Sequence, residues 1–136
     1  MGLRLDLEVP PGPLRRSEGA EVTVTLVNEG PNRLLINRRM SPGYSDSFPR
    51  EIYFVVNADY GKQKYDRSIS DSSDYDWLAS GDAISTRIDL LAWYRIKEPG
   101  TFQLIANYQC DEPGSRFPQG IVRGLTTSKP IEITVD

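Results

Sequence analysis

The side chains that carry most protein chemistry are scarce in this sequence. It contains no histidine and one cysteine, Cys110. Without an imidazole there is no His-based zinc site, no Ser-His-Asp triad and no Cys-His dyad. The group best suited to proton transfer near neutral pH is missing as well. One cysteine cannot form a thiolate metal site, a CxxC redox pair or an intrachain disulfide. Cys110 ends an alternating apolar stretch and reads as a small buried hydrophobe rather than a reactive thiol. The glycines form neither Gly-x-Gly-x-x-Gly nor Gly-Lys-Ser/Thr, so no phosphate cradle is expected. Carboxylates remain, but two-carboxylate hydrolysis needs a cleft and surroundings that separate two pKa values. Their spacing supplies neither. The run Asp71, Asp74, Asp76 and Asp82 offers oxygen to calcium, yet an EF-hand counted from Asp71 needs glycine sixth and glutamate twelfth, where Asp76 and Asp82 stand. It reads first as a solvated loop. The expectation is a non-enzyme with no cofactor and no metal.

What is left is binding chemistry. Tyr60, Tyr65, Tyr75 and Trp77 cluster in the middle of the chain, with Tyr44 and Phe48 before them. Aromatic rings on loops make contacts at low entropic cost, to proteins and to sugar faces. These four are the candidate partner-binding residues. Trp77, followed by Leu78, is expected to pack into the core, leaving Tyr75 as the more exposed ring. Trp93 beside Tyr94 is expected in the core. Charge is unevenly spread. Arg33, Arg38, Arg39 and Arg50 are opposed only by Asp46, whereas residues 68–82 are acidic with no basic residue. Two solvated loops of opposite sign are the plain reading, and steering of a charged partner is the functional one. A net charge of −3 argues against nucleic acid.

The elements that must position these residues have a period of two. Leu3, Leu5, Leu7 and Val9 alternate with Arg4, Asp6 and Glu8 until Pro10-Pro11-Gly12-Pro13 stops the strand. Val22, Val24 and Leu26 alternate with Glu21, Thr23 and Thr25. A short strand is expected over 33–37, another over 51–57, a turn at Asp59-Tyr60-Gly61-Lys62 and a short return strand over 63–66. Residues 67–82 are expected to be the longest loop. Alternation resumes over 83–91, a single helical turn fits 91–96, and Thr101 to Cys110 is the clearest strand. A last strand, 121–125 with 131–135, is bent at Lys129-Pro130. At 136 residues the chain has the size of one domain and can bury about two-thirds of its extended surface. The expected fold is all-β, a single antiparallel immunoglobulin-like β-sandwich of 7–9 strands over 1–136. An eight-stranded barrel is the competitor.

Glu98-Pro99-Gly100-Thr101-Phe102-Gln103-Leu104 resembles the turn and strand that open the sixth strand of immunoglobulin-like folds. In that resemblance Phe102 stands where a tyrosine is usual, and Leu104 stands where antibody domains place a cysteine. Leu26 is then its facing partner. The wider layout is similar to two groups: the accessory domain of deuterolysin-type metallopeptidases and bacterial intracellular proteinase-inhibitor domains. Its turns and core positions are Val22–Asn28, Ile52–Val56 with Gly61, Gly81-Asp82, Ile88-Asp89-Leu90, Tyr94 and Pro99-Gly100. The zinc-binding histidines of the former have no counterpart, so no catalytic role carries over.

The functional expectation is a non-catalytic interaction domain that meets a protein partner through loops or a sheet edge. Proteinase inhibition through a protruding loop at 40–49 or 111–120 is the alternative, and a carbohydrate-binding module a further one. Assembly through strand edges would make the protein a weak homo-oligomer rather than a monomer. No run reaches membrane-spanning length and no signal stretch opens the chain, which reads as cytoplasmic. A removed leader would make it secreted.

Overall fold

A computed structural model describes residues 2–43, 51–59, 61, 63, 74–109, 122 and 124–136. The alternation resolves into antiparallel sheets. β1 (Leu3–Glu8) pairs with β2 (Glu21–Asn28), and β2 with β6 (Ala83–Asp89), giving the order β1-β2-β6. β4 (Ile52–Val56) pairs with β7 (Gly100–Gln109), whose other side carries β8 (Leu125–Thr127) and then β9 (Ile131–Val135). β3 (Leu34–Asn37) and β5 (Tyr75–Leu78) make a two-stranded ribbon. The described residues are therefore mostly β, with one four-residue α-helical turn, α1 (Leu90–Trp93).

All three sheets meet in one buried cluster. Leu5 and Leu7 of β1, Val22, Val24 and Leu26 of β2, and Ile88 of β6 come from one sheet. Ile52, Phe54 and Val56 of β4, and Leu104, Ala106 and Tyr108 of β7, come from another. Ile36 and Leu78 anchor the ribbon. Each fully buried valine or leucine contributes roughly 1.5–3 kcal/mol, which is why the period-two face sets the register. Leu26 and Leu104 are both fully buried in this cluster. The alternate residues of β2, exposed Glu21 and half-buried Thr23, Thr25 and Val27, lie on the opposite face.

Two junctions give the fold its shape. Leu14, beyond the proline run, forms a parallel bridge with Val135: its N–H donates to Thr134 O at 2.8 Å and its carbonyl accepts from Asp136 N at 2.8 Å. The chain thus leaves the β1 sheet and touches the edge of β9. Between β8 and β9, Ser128 to Pro130 lies opposite only Ile105 and Ala106, one residue out of step. Ser128 repairs the ladder there. Its N–H donates to Ala106 O, and its Oγ accepts from Ala106 N, each at 2.9 Å. The break expected at Lys129-Pro130 is this bulge.

Three expectations need correction. Residues 67–82 do not all form a loop, because Tyr75–Leu78 is β5. Four residues flanked by acidic and polar neighbours give little local signal, and the ladder partner lies about 40 residues upstream. The turn after β4 comes earlier than 59–62. Val56 and Asp59 exchange N–H···O bonds of 3.0 and 2.9 Å around Asn57 (φ 49°) and Ala58 (φ 62°), a type I′ turn. The helical turn starts one residue before its expected place and stops at Trp93. The expected return strand leaves Gln63 in a single bridge to Tyr94, with 64–66 outside the described residues. Of the expected strand 121–125, Leu125 opens β8, and 121 and 123 are outside the described residues.

Candidate functional site

The ribbon holds the two described candidates, Tyr75 and Trp77, and their exposures are the reverse of the sequence reading. Tyr75 is half-buried against the core cluster, whereas Trp77 is 42 % exposed. Two residues apart, the rings share one face of β5, and the core reaches that face at Tyr75 while leaving Trp77 at the rim. Trp77 lies directly opposite Leu35 in the β3–β5 register, so both side chains share a face. The Arg33 guanidinium sits over the Trp77 ring, its carbon 3.9 Å from the centroid. Such a stack is worth about 0.5–1 kcal/mol at an exposed site.

Arg33 is held in place from behind. Asn28, the fully buried last residue of β2, donates through Nδ2 to Asn32 O at 2.8 Å and to Leu78 O at 2.9 Å. Its Oδ1 accepts Gly30 N–H at 3.1 Å. One side chain thus ties the loop before Arg33 to the end of β5. Among the described residues Arg33 has no ion pair, and it is exposed.

The backbone edge beside Trp77 is occupied. Arg38 N donates to Asp74 O, which puts the even-numbered residues of the ribbon in hydrogen-bonded pairs and turns the Trp77 N–H and C=O outward. Asp76 Oδ1 accepts that N–H at 2.7 Å, and Arg38 Nη1 reaches the carbonyl at 3.4 Å. Arg38 and Asp76 lie 3.9 Å apart. Charged side chains on an edge block further strand pairing. What β5 presents to solvent at this position is the ring.

The opposite-sign segments of the sequence are therefore neighbours, not poles. Arg38 faces Asp76 across the ribbon, and Arg39 turns inward. Arg39 Nε and Nη2 donate to Glu51 Oε1 and Oε2 at 2.6 and 3.0 Å, where Glu51 is 2 % exposed. This bidentate pair fixes the end of β3 to the start of β4. On the far side of β3, the Tyr108 hydroxyl donates to Asn37 O at 2.9 Å and accepts Asn37 N–H at 3.2 Å. Val122 N donates to Leu35 O.

A concavity of about 460 Å³ opens beside the type I′ turn and is lined by Val56, Asn57, Asp59, Tyr94, Ile96 and Phe102, among others. The buried Tyr94 phenol donates to Asp59 O at 2.8 Å. Burial, helped by the Asp59 charge, pushes its pKa up to about 12. Tyr94 is therefore a neutral donor and no base at neutral pH. Gly61 closes over it, where a Cβ would stand 2.6 Å from the phenol oxygen. Sequence reasoning missed this cleft, for which Gly61 and Tyr94 were the only visible trace.

Tyr60 and Tyr65 lie outside the described residues, as do Cys110, Tyr44, Phe48, Arg50, Asp46 and Asp71, and the loops 44–49 and 111–120. Among the described residues no group of three or more Cys, Asp or Glu is placed to hold a metal. No described helix is long and apolar enough to cross a membrane. Compared with protein-family models and with curated proteins, the chain matches none.

Proposed function

We propose that the chain is one immunoglobulin-like β-sandwich that acts as a non-catalytic protein-interaction domain, with Trp77 and Arg33 at the centre of its contact surface. The sandwich reading rests on strand order. β1-β2-β6 on one side and β4-β7-β9 on the other follow the A-B-E and C-F-G order of such folds. The parallel bridge of Leu14 to Val135 corresponds to a first strand that switches sheets.

The single observation that carries the functional reading is the exposed Trp77 ring, pre-ordered under an exposed arginine. Tryptophan and arginine dominate the energetics of protein interfaces because each combines large apolar area with directed hydrogen bonding. The matching partner surface carries an apolar side chain for the ring and a carboxylate for Arg33. The test is capture of a partner from native extract on immobilised protein, followed by affinities for wild type, Trp77→Ala and Arg33→Ala. Loss of about 2 kcal/mol, roughly 30-fold, is expected for Trp77→Ala. A folded Trp77→Ala variant that binds the partner as tightly as wild type refutes the assignment. The same ring favours a second reading, stacking on a sugar face. A glycan array on which wild type binds and Trp77→Ala does not would select it.

A further inference from the structure

β6 is an outer strand of a different kind. Leu90 N donates to Ala20 O and Asn28 N to Asp82 O, at either end of the β2–β6 ladder. With the register Val22↔Ile88, Val24↔Thr86 and Leu26↔Ile84, these bonds put the even-numbered residues of β6 in hydrogen-bonded pairs with β2. The backbone N–H and C=O groups of Ala83, Ser85 and Arg87 then point away from the sheet. Among the described residues no other group hydrogen-bonds to them, and their side chains are exposed. The devices that block strand addition are weak here: no proline, no bulge, and one cation, Arg87, which lies 3.8 Å from Glu21 of its own sheet.

The geometry points to this edge as a self-association site at which β6 pairs antiparallel with β6 of a second copy across a two-fold axis. The result is a continuous sheet, β1-β2-β6 joined to β6-β2-β1. Only registers that set odd-numbered residues against odd-numbered ones bring outward N–H to outward C=O. The register centred on Thr86 uses the edge most fully. It places Ser85 opposite Arg87 of the second copy and Ala83 opposite Asp89, so no two charges of like sign face one another directly. On the other face, Thr86 meets its own copy and Ile84 meets Ile88. Ile84 and Thr86 are half-buried at the margin of the core in one copy, and a second strand covers them. The two Arg87 side chains lie diagonally across the axis, each beside its own Glu21. This self-complementarity selects a second copy over an unrelated strand. A seven-residue edge buries less than a standard interface, so the dimer dissociates on dilution.

Sedimentation equilibrium on the full chain from about 10 μM to about 1 mM reads the association directly. Amide hydrogen exchange at the two ends of that range reads its location. Expected are a rising dimer fraction and protection of the Ser85 and Arg87 amides that appears only at high concentration. Ser85→Pro removes a backbone donor that the described residues of the single copy do not use, and it is expected to remain monomeric, with a melting temperature lowered only slightly by loss of the exposed bond between Ser85 Oγ and Thr25 Oγ1. A wild-type monomer over the whole range overturns the proposal. So does a dimer whose Ser85 and Arg87 amides exchange freely, or one that Ser85→Pro leaves intact. If Ser85→Pro does not fold, the wild-type exchange data decide alone.

Discussion

β5 and β6 follow one another in the chain, separated only by residues 79–82, and each forms the outer strand of its sheet among the described residues. Their edges are finished in opposite ways. At β5 the outward N–H and C=O of Trp77 are taken by Asp76 and Arg38, and what faces solvent is a ring under an arginine. At β6 the outward groups of Ala83, Ser85 and Arg87 have no partner among the described residues. One edge presents a side chain and the other presents backbone groups. The sheets behind them differ in the same sense. The β1-β2-β6 sheet is held by long ladders over an apolar face. The β3–β5 ribbon is short and depends on individual polar side chains.

That contrast can be broken most forcefully at Glu51. Removing its carboxylate takes the bidentate partner from a largely buried Arg39, and breaking a buried pair costs about 3–5 kcal/mol. Glu51→Ala is therefore expected to lower the denaturation midpoint strongly and to release β3 from β4. Exchange protection should fall in the ribbon before it falls in β2. If Glu51→Ala loosens β2 and β3 together, the ribbon is not a separate, side-chain-held region. Tyr108→Phe is the next step down. The lost hydroxyl serves both the N–H and the C=O of Asn37, and leaving buried backbone groups unpaired costs about 1–3 kcal/mol. The ring stays, so the core volume is unchanged, and the loss measured by urea denaturation isolates the polar tie.

How far this contrast was visible in the sequence follows from its physics. β1, β2 and β7 alternate over six, eight and ten residues, long enough for the dry face to declare itself. The register follows because a one-residue slip would turn Val22, Val24 and Leu26 to water. β5 has four residues, and the strand that explains it lies far upstream. The Asn57-Ala58 turn was hidden because alanine rarely adopts positive φ, so Asp59-Tyr60-Gly61 drew attention instead. Trp77 was misjudged since hydrophobicity does not say whether anything covers a given face. The alternation of Tyr75 and Trp77 about Asp76 was the available signal for the strand. The Arg39–Glu51 and Arg38–Asp76 pairs join segments whose meeting only the tertiary fold dictates.

On the β6 side the polar counterpart of Tyr108 is Tyr94, reached from β6 through α1. Its phenol is favoured as the neutral form in the fold, with a pKa of about 12 against an ordinary 10. The sign follows directly. Below pH 10 the phenol is neutral in both folded and unfolded chains, and its contribution is fully present. Between pH 10 and 12 the unfolded chain ionises first, so stability falls. Tyr94→Phe is expected to cost about 1 kcal/mol at neutral pH through the lost bond to Asp59 O. It should also lack this alkaline component, so the gap between wild type and variant narrows as pH rises through 10. A constant gap up to pH 12 would mean that the phenol is not shielded.

The smallest expected effect separates the two edges most sharply. Trp77→Ala removes a ring that is 42 % exposed and outside the core cluster. Its stability cost is the Arg33 stack plus partial cover of Leu35, about 1 kcal/mol in all. On the proposed reading, a ring that stabilises so little has its value in partner contact. Sedimentation of Trp77→Ala should match wild type, because β6 does not involve the ring, while partner binding collapses. Destabilisation of the size expected for Tyr108→Phe would make the ring a structural cover for Leu35. The β5 edge would then be a closed end of the fold, and β6 the one open surface of the pair.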